Sequence, residues 1–208
     1  MKQIYLQKLQ STLRNKFLKS GVKMSGPETI YFSKDTKIGK NVIIEPYVVF
    51  GPKVKIGNNV IIKSFSYLEN CRIENKVDIG PYARIRPGTI LKEGSKVGNF
   101  VEIKKSVIGK KSKVNHLAYV GDSALGKSVN IGAGTITCNY DGKKKHKTII
   151  EDDAFIGSNS SIIAPVKIGK KSYIGSGSAI SRNVKENSLA VERSTQMEVK
   201  NWSKKVKK

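Results

Sequence analysis

The chain has few of the residues on which several classes of protein depend. It contains only two cysteines, Cys71 and Cys138, so the sequence predicts no disulfide framework and gives no sign of export. Its two histidines are too few for a three-histidine zinc site, and no Cys-x-x-Cys pair or aspartate cluster predicts another metal site. No apolar run approaches the ~18 residues of a membrane span, and the first ten residues lack the apolar core of a secretory signal. We therefore expect a cytoplasmic protein with no bound metal and no membrane partner.

Acidic residues are also scarce, because 16 Asp and Glu stand against 39 Lys and Arg, a formal net charge of +23. Such an excess occurs in proteins that bind nucleic acids or acidic small molecules. Here it is spread along the whole chain, with dense clusters only at 143–147 and 204–208, and aromatic residues are not interleaved with the lysines. A solvated basic surface is the simpler interpretation, and nucleic-acid binding is a minor alternative.

A six-residue repeat fills most of the chain. Apolar residues recur at this spacing from Ile38 to Ile180, with three restarts one residue short and an interruption at 139–147. A period of six fits neither an amphipathic helix nor an alternating strand. It is typical of a triangular solenoid, in which each hexapeptide forms one flat face and one corner and three hexapeptides form a coil. A glycine follows many of the inward residues, as in Ile38-Gly39, and we expect it to permit a corner with positive φ.

The segments that flank the repeat have different patterns. Apolar side chains at three- and four-residue steps predict a helix over 1–20 that ends at Gly21. These side chains are Leu6, Leu9, Leu13 and Phe17. A single apolar stripe on a short helix must pack on the repeat or on a partner chain. We therefore divide the chain into an N-terminal helix (1–22), a repeat domain (23–184) with a loop insertion at 139–147, and an irregular basic arm (185–208).

Proteins with this repeat are mostly trimeric acyltransferases, with a minority of carbonic anhydrases and structural subunits. The carbonic anhydrase interpretation requires three zinc-binding histidines, whereas this chain has only His116 and His146. A serine hydrolase would need a Gly-x-Ser-x-Gly elbow, and the string GSGSA at 175–179 only continues the repeat. Acyl transfer is therefore the class that the repeat favours.

Five strings resemble the acetyltransferase domain of bacterial GlmU, a bifunctional N-acetylglucosamine-1-phosphate uridyltransferase and glucosamine-1-phosphate N-acetyltransferase. They are IGPYARIRPG (79–88), VGNFVEIKKS (97–106), HLAYVGD (116–122), NIGAGTITCNYDG (130–142) and KTIIEDDAFIGSNSSIIAPV (147–166). The resemblance implies an all-β fold, a left-handed parallel β-helix of hexapeptide repeats, assembled as a homotrimer. It also implies acetyl transfer from acetyl-CoA to glucosamine 1-phosphate, for the synthesis of cell-wall precursors.

The resemblance also assigns roles to individual residues. His116 matches the general base, a role that suits the ordinary pKa of histidine. Glu102, two residues before Lys104, is expected to help to orient or tune the site. The positions that match the sugar-phosphate site are Arg86, Lys104, Tyr119 and Asn130. The positions that match the acetyl-CoA site are Ala133, Asn139, Tyr140, Ser158, Ser176 and Arg193. The family pattern has alanine at the position of Ser176, so from Ser176 we expect only a main-chain contact with acetyl-CoA. Lys145 with its neighbours is expected to attract the CoA phosphates.

The sequence departs from the family in one respect, because no glycine-rich nucleotidyltransferase loop precedes the helix. We therefore expect acetyl transfer without nucleotidyl transfer, and the position of Met1 directly before the helix favours a stand-alone protein. Two alternatives stay open. The chain is a hexapeptide acyltransferase for another amino sugar, or it is a non-catalytic trimer that binds a separate uridyltransferase through the helix at 1–20. The basic arm is expected to reach an adjacent subunit, so that sites are shared between chains.

Overall fold

The computed structural model describes residues 2–205, with side chains described from residue 6 to residue 203. Residues 1 and 206–208, the outer ends of the predicted helix and arm, lie outside the described residues. The helices are α1 (Lys2–Lys19), a 3-10 helix (Pro27–Thr29) and a final turn, α2 (Trp202–Lys205). In chain order the strands are β1 Lys23–Met24, β2 Lys37–Ile38, β3 Ile43–Ile44, β4 Val49–Phe50, β5 Lys55–Ile56, β6 Ile61–Ile62, β7 Tyr67–Leu68, β8 Cys71–Ile73, β9 Asp78–Ile79, β10 Arg84–Ile85, β11 Thr89–Leu91, β12 Lys96–Asn99, β13 Glu102–Lys104, β14 Val107–Ile108, β15 Lys113–His116, β16 Tyr119–Gly121, β17 Ser123–Leu125, β18 Asn130–Ile131, β19 Ile136–Cys138, β20 Thr148–Ile150, β21 Phe155–Ile156, β22 Ser161–Ile163, β23 Val166–Ile168, β24 Tyr173–Ile174, β25 Ala179–Ile180 and β26 Leu189–Ala190.

The strands form three parallel sheets that make the three faces of a solenoid. Sheet A has the order β1-β3-β6-β9-β12-β15-β18-β21-β24-β26, sheet B β4-β7-β10-β13-β16-β19-β22-β25, and sheet C β2-β5-β8-β11-β14-β17-β20-β23. Lys37 pairs with Lys55 and Lys55 with Arg72, so one coil takes 18 or 17 residues. This is the predicted left-handed parallel β-helix of hexapeptide repeats, and the fold prediction is confirmed.

The core consists of the side chains that the six-residue spacing selects. From Ile44 to Ile180, every residue of the predicted inward series is at most 5% exposed. Ile38 is only partly buried, because it lies in the first coil, where one side has no neighbouring coil. Each inward side chain packs on its equivalents in the adjacent coils, so the core is one continuous apolar column along the solenoid.

The corners correct one part of the sequence interpretation. Gly57 and Gly109 follow inward residues as expected, but the φ angles of these glycines are not positive. A Cβ on Gly109 would collide with the carbonyl group of Gly126 in the next coil. The glycine is therefore required by the close approach of two coils. The positive φ occurs two residues later, at Asn59 (56°) and Lys111 (58°).

Helix α1 covers the N-terminal end of the solenoid. Leu13 and Phe17 are buried, and the ring centroid of Phe17 lies 4.8 Å from that of Phe32 in the first coil. The side-chain amide of Gln10 donates to the carbonyl oxygen of Phe32 (2.8 Å) and accepts from its N–H (2.9 Å). Leu6, which the sequence pattern places on the same stripe, is 57% exposed. The apolar stripe of α1 thus packs against the open end of the core in the same chain.

The interruption of the repeat is a loop between β19 and β20. Ser123 pairs with Thr148, 25 positions later, across this loop, whereas Lys113 pairs with Asn130, only 17 positions later. The loop therefore lengthens one coil, and the pairing of the strands on either side of it is kept. After β25, the last strand of sheet B in chain order, β26 pairs with β24 and so extends sheet A. Residues 191–199 continue as exposed, irregular chain.

Candidate active site

Four of the predicted site residues lie at one edge of the solenoid. Strands β15, β18, β21 and β24 are consecutive in sheet A, and their register stacks the residues that follow them. The stacked residues are His116, Ala133, Ser158 and Ser176. We call them the A/B row, because they lie where each coil passes from sheet A to sheet B. Neighbouring strands are ~4.8 Å apart, so the row is about 14 Å long.

His116 is exposed at the end of β15, and its ring is held by the preceding coil. Nδ1 of His116 lies 2.7 Å from Oδ1 of Asn99, with which His116 pairs in the β-ladder. In this amide orientation a carbonyl oxygen can only accept, so Nδ1 carries the proton. In a neutral ring Nε2 is then the acceptor. His116 can therefore take a proton from a ligand through Nε2.

Ser176, at the C-terminal end of the A/B row, is linked to the arm. Nη1 of Arg193 donates to the carbonyl oxygen of Ser176 at 3.0 Å. Because the carbonyl group is neutral, this hydrogen bond leaves the positive charge of the guanidinium available to an anion. The arm thus adds a cation to the outer end of the row.

Arg86 and Lys104 lie at the other edge of sheet B, where the chain passes to sheet C. The register pairs Ile85 with Ile103, so the two cations follow in successive coils at this B/C edge. Nη1 of Arg86 lies 2.6 Å from Oε1 of Glu102, and both side chains are about one-third exposed. Glu102 therefore holds the guanidinium of Arg86 in one orientation at this edge.

The loop insertion brings a further cation, Lys145, to Lys104. The side chain of Lys145 is the largest cause that lowers the pKa of Lys104; desolvation and the charges of Lys145 and Arg86 lower it further, while Asp122 acts in the opposite direction. Cations grouped this closely favour a bound anion between them. The sequence interpretation assigned Lys145 to the phosphates of CoA. The structure groups it instead with the residues that match the sugar-phosphate site.

Asp141 organises the loop insertion. Its Oδ1 accepts hydrogen bonds from the backbone N–H groups of Lys143 (2.8 Å) and Lys144 (2.6 Å), and its Oδ2 lies 2.6 Å from Nε2 of His146. The N–H group of Lys144, followed by the ring of His146, holds the pKa of Asp141 well below its usual range. Nothing in the sequence interpretation singled out this carboxylate, although an Asp-Gly pair inside an interruption is a recognisable turn signal.

Asn139 and Tyr140 begin the same loop. Asn139 is buried, and its amide donates to Oδ2 of Asp122 at 2.6 Å, which anchors the loop to the preceding coil. Tyr140 is 59% exposed, and its hydroxyl group donates to the carbonyl oxygen of Gly142 at 2.6 Å. Both residues lie at the B/C edge, whereas the other predicted acetyl-CoA residues belong to the A/B row or adjoin it.

Tyr119 and Asn130 lie on the two faces that meet at the A/B edge. Tyr119 is on sheet B, in register with Glu102, and its hydroxyl group lies above Gly121. Asn130 is on sheet A, in register with Phe155. Both are partly buried. His116 and Asn130 therefore flank the A/B edge at one level of the solenoid, whereas the side chain of Tyr119 extends along sheet B towards Gly121 at the B/C edge.

Within one chain the predicted site is therefore divided. The base and the small-residue row occupy the A/B edge, and the cation cluster occupies the B/C edge, with the width of sheet B between them. In the part of the chain that the structure describes, no group of three or more His, Cys, Asp and Glu side chains is arranged to hold a metal ion. Over the same residues, no helix is long and apolar enough to cross a membrane.

Comparison with known proteins agrees with this architecture. The family model described as bacterial transferase hexapeptide (six repeats) matches residues 35–70 and 147–182. Among solved structures, a UDP-N-acetylglucosamine acyltransferase from Francisella novicida superposes with a TM-score of 0.56 at 19% identity, over 81% of this chain and 66% of that chain. At this identity the superposition establishes the fold alone.

Relatives at higher identity share the name "Bifunctional protein GlmU". The protein from Zymomonas mobilis is 52% identical over 94% of this chain and 44% of its own length. The protein from Thermosipho africanus is 49% identical over 96% of this chain and 49% of its own length. The chain thus spans no more than about half the length of these relatives. It belongs to the GlmU family, in which it corresponds to the C-terminal part with the hexapeptide repeats.

Proposed function

We propose that this chain transfers the acetyl group of acetyl-CoA to the amine of glucosamine 1-phosphate, giving N-acetylglucosamine 1-phosphate for cell-wall precursor synthesis. The observation that carries the proposal is the pair formed by Asn99 and His116, which leaves Nε2 of an exposed histidine free to accept a proton. Membership of the GlmU family favours this acceptor over another amino sugar.

The reaction needs few groups from the protein, because a thioester is already activated. The sugar ammonium first gives one proton to solvent. Its amine nitrogen then attacks the thioester carbonyl carbon, forming the N–C bond, while Nε2 of His116 takes a second proton from that nitrogen. The tetrahedral intermediate then expels the CoA sulfur, which takes the proton back from the imidazolium. Ala133, the next member of the A/B row, has a side chain small enough for the thioester to approach the backbone beside His116.

The cation cluster at the B/C edge is the proposed site of the sugar phosphate. A phosphate monoester carries up to two negative charges, and Lys104 and Lys145 with Arg86 supply three positive charges around one position. Binding of the dianion would raise the pKa of Lys104, which its cationic neighbours lower. If the substrate were glucosamine without its phosphate, the cation cluster would have no anion to bind.

We infer that the active unit is a homotrimer with sites shared between chains. A single ligand can reach both His116 and the cation cluster only if the A/B edge of one chain meets the B/C edge of another, because sheet B separates the two edges of one chain. Sheet B would then face the neighbouring chains, and its outward side chains support this role. Those that are large, apolar and exposed include Tyr31, Tyr67 and Ile136.

The A/B edge itself provides a second surface for assembly. An exposed stack of aromatic rings runs along it on the N-terminal side of His116, with centroid separations of 4.8–5.0 Å. The stack consists of Tyr47, Phe65, Tyr82 and Phe100. Exposed apolar ridges of this length are typical of surfaces that pack against another protein. Contact here would bring His116 of one chain close to its neighbour.

The proposal is tested by release of free CoA thiol from acetyl-CoA in the presence of glucosamine 1-phosphate. We expect the intact chain to be active, and we expect His116→Ala to lower kcat by about 10²–10⁴-fold with the oligomer preserved. Other amino sugar phosphates serve as alternative acceptors in the same assay. Activity that survives the substitution would remove His116 from the mechanism. No activity from a folded trimer with any acceptor would favour a non-catalytic subunit that binds a separate uridyltransferase.

A further inference from the structure

Asp122 is a buried carboxylate that the proposed mechanism does not use. It follows β16 at the B/C edge, where its backbone has a φ of 48°, and its side chain is only 9% exposed. A buried carboxylate is costly unless it is paired and hydrogen-bonded. The partners of Asp122 therefore show what this position is used for, and they belong to the loop insertion and to the strand end that carries Lys104.

The side chain of Asp122 holds the beginning of the loop insertion. Its Oδ2 accepts a hydrogen bond from Nδ2 of Asn139 at 2.6 Å, and Asn139 is itself 6% exposed. The carbonyl oxygen of Asn139 in turn accepts from the N–H of His146 at 2.8 Å. Lys145 directly precedes His146, so two hydrogen bonds connect the carboxylate of Asp122 to the backbone that carries Lys145.

The backbone of Asp122 holds the end of the same loop and the neighbouring coil. Its carbonyl oxygen accepts from the N–H of Thr148, directly after the insertion, at 3.3 Å. Its own N–H donates to the carbonyl oxygen of Lys104 at 3.0 Å. Asp122 is thus joined to Lys104 on one side and to both ends of the loop that carries Lys145 on the other. The separation of these two cations depends on this one residue.

The charge of Asp122 also suits a place beside the cation cluster. Its Oδ1 lies 3.5 Å from Nζ of Lys105, which is 72% exposed. Its negative charge raises the pKa of Lys104, against the effect of Lys145. Lys104, Lys105 and Lys145 are three cations for this one carboxylate, so the repulsion between them is reduced while a net positive charge remains for an anionic ligand.

We propose that Asp122 is a positioning residue of the sugar-phosphate site, which holds the loop insertion so that Lys145 meets Lys104. This inference rests on the proposed function, which assigns the cation cluster to the phosphate of glucosamine 1-phosphate. A residue that only closes a turn would affect the stability of the chain. A residue that sets the position of Lys145 affects binding of the sugar phosphate, and its effect passes through Lys145.

The experiment compares steady-state constants for glucosamine 1-phosphate in the full chain. Asp122→Ala removes the acceptor for Asn139, so we expect the KM for glucosamine 1-phosphate to rise about tenfold with kcat retained. Asp122→Asn keeps an oxygen that can accept from Asn139 and should leave this KM within about threefold of that of the intact chain. The matched control is Asp152→Ala, because Oδ1 of Asp152 accepts from the N–H of Lys127 at 2.7 Å where the chain passes from sheet C to sheet A. It should leave the KM unchanged.

A double variant tests whether Asp122 acts through Lys145. Asp122→Ala combined with Lys145→Ala should show the KM of Lys145→Ala alone, because both substitutions remove the same contact with the phosphate. Rises that multiply would show two independent effects. Asn139→Ala removes the same hydrogen bond from the other side and should raise the KM as Asp122→Ala does, which covers a failure of Asp122→Ala to fold.

Three results would overturn the inference: an unchanged KM in both alanine variants, a KM for Asp122→Asn as high as that for Asp122→Ala, or rises that multiply in the double variant. Two measurements that need no catalysis separate the inference from the proposed function, namely calorimetric titration with glucosamine 1-phosphate and exchange protection of the His146 amide. If the intact chain transfers no acetyl group, the proposed function fails. Weaker binding of the sugar phosphate together with lost protection of His146 in Asp122→Ala would still support the role of Asp122, and retention of either would refute it.

Discussion

The side-chain oxygen of Asn99 lies 2.7 Å from Nδ1 of His116, one coil away, and the backbones of the two residues pair in sheet A. The contact is therefore set by the β-ladder rather than by a flexible loop. It fixes both the orientation of the imidazole and the nitrogen that carries the proton. Asn99 is a positioning residue for the proposed base.

Substitutions of Asn99 should alter the chemical step. In Asn99→Ala the ring of His116 is free to rotate and to change tautomer, so kcat should fall about tenfold or more with little change in KM for either substrate. In Asn99→Asp a carboxylate facing the ring stabilises the imidazolium, so the acidic limb of the kcat/KM profile should move to higher pH. Steady-state rates measured from pH 5 to pH 9 check both outcomes. A kcat for Asn99→Ala equal to that of the intact chain would refute the role.

Removal of Lys145 should weaken binding of the sugar phosphate. Charge-assisted hydrogen bonds are worth about 1.5–3 kcal/mol, so Lys145→Ala should raise the KM for glucosamine 1-phosphate roughly 10- to 100-fold with kcat retained. Because Lys145 is the first cause of the lowered pKa of Lys104, the same variant should raise the pKa of Lys104. A carbon NMR titration of the lysine side chain measures the second effect. Lys144→Ala, in the same loop, is the control and should change neither quantity.

The order of the loop insertion should depend on pH. The pKa of Asp141 is lowered in the folded chain, so its contribution is fully present above the ordinary aspartate value of about 3.9 and is lost as the pH falls through the folded pKa. Asp141 accepts hydrogen bonds from the N–H groups of Lys143 and Lys144. The protection of these two amides, measured against their intrinsic exchange rates at the same pH, should therefore be high at pH 6 and be lost under strongly acidic conditions. In Asp141→Asn the protection should be low at both pH values. Equal protection in the variant and the intact chain would exclude this role of the carboxylate.

Helix α1 should contribute to stability through its contact with the first coil. Phe17 is 4% exposed and packs on Phe32, so Phe17→Ala should lower the free energy of unfolding by about 3–5 kcal/mol. Leu6→Ala, on the exposed part of the same helix, should change it by less than about 0.5 kcal/mol. Denaturant unfolding measures both. If the two variants are equally stable, α1 does not act as the end cap of the core.

The six-residue spacing predicted the fold because a solenoid repeats the same local environment in every coil. Ile62, Ile85 and Ile103 must all point inward for the same reason, so a pattern visible along the chain is also a pattern of burial. The corners show where this reasoning ends. The glycine at 109 is visible in the sequence, but its cause is the carbonyl group of Gly126, 17 positions away, and only the stacked coils bring the two together.

The site divides in the same way. The motif strings singled out His116 and Lys104 as candidates, because short runs of residues carry the chemical identity of a site. Their placement on opposite edges of sheet B, the contact of Lys145 with Lys104 and the stacking of Phe155 on Tyr173 depend on the register between coils. Register is a relation between residues 17 to 25 positions apart, set by backbone hydrogen bonds that leave no mark on local composition. Side-chain chemistry was therefore readable along the chain, whereas the grouping of those side chains was decided by the stacking of the coils.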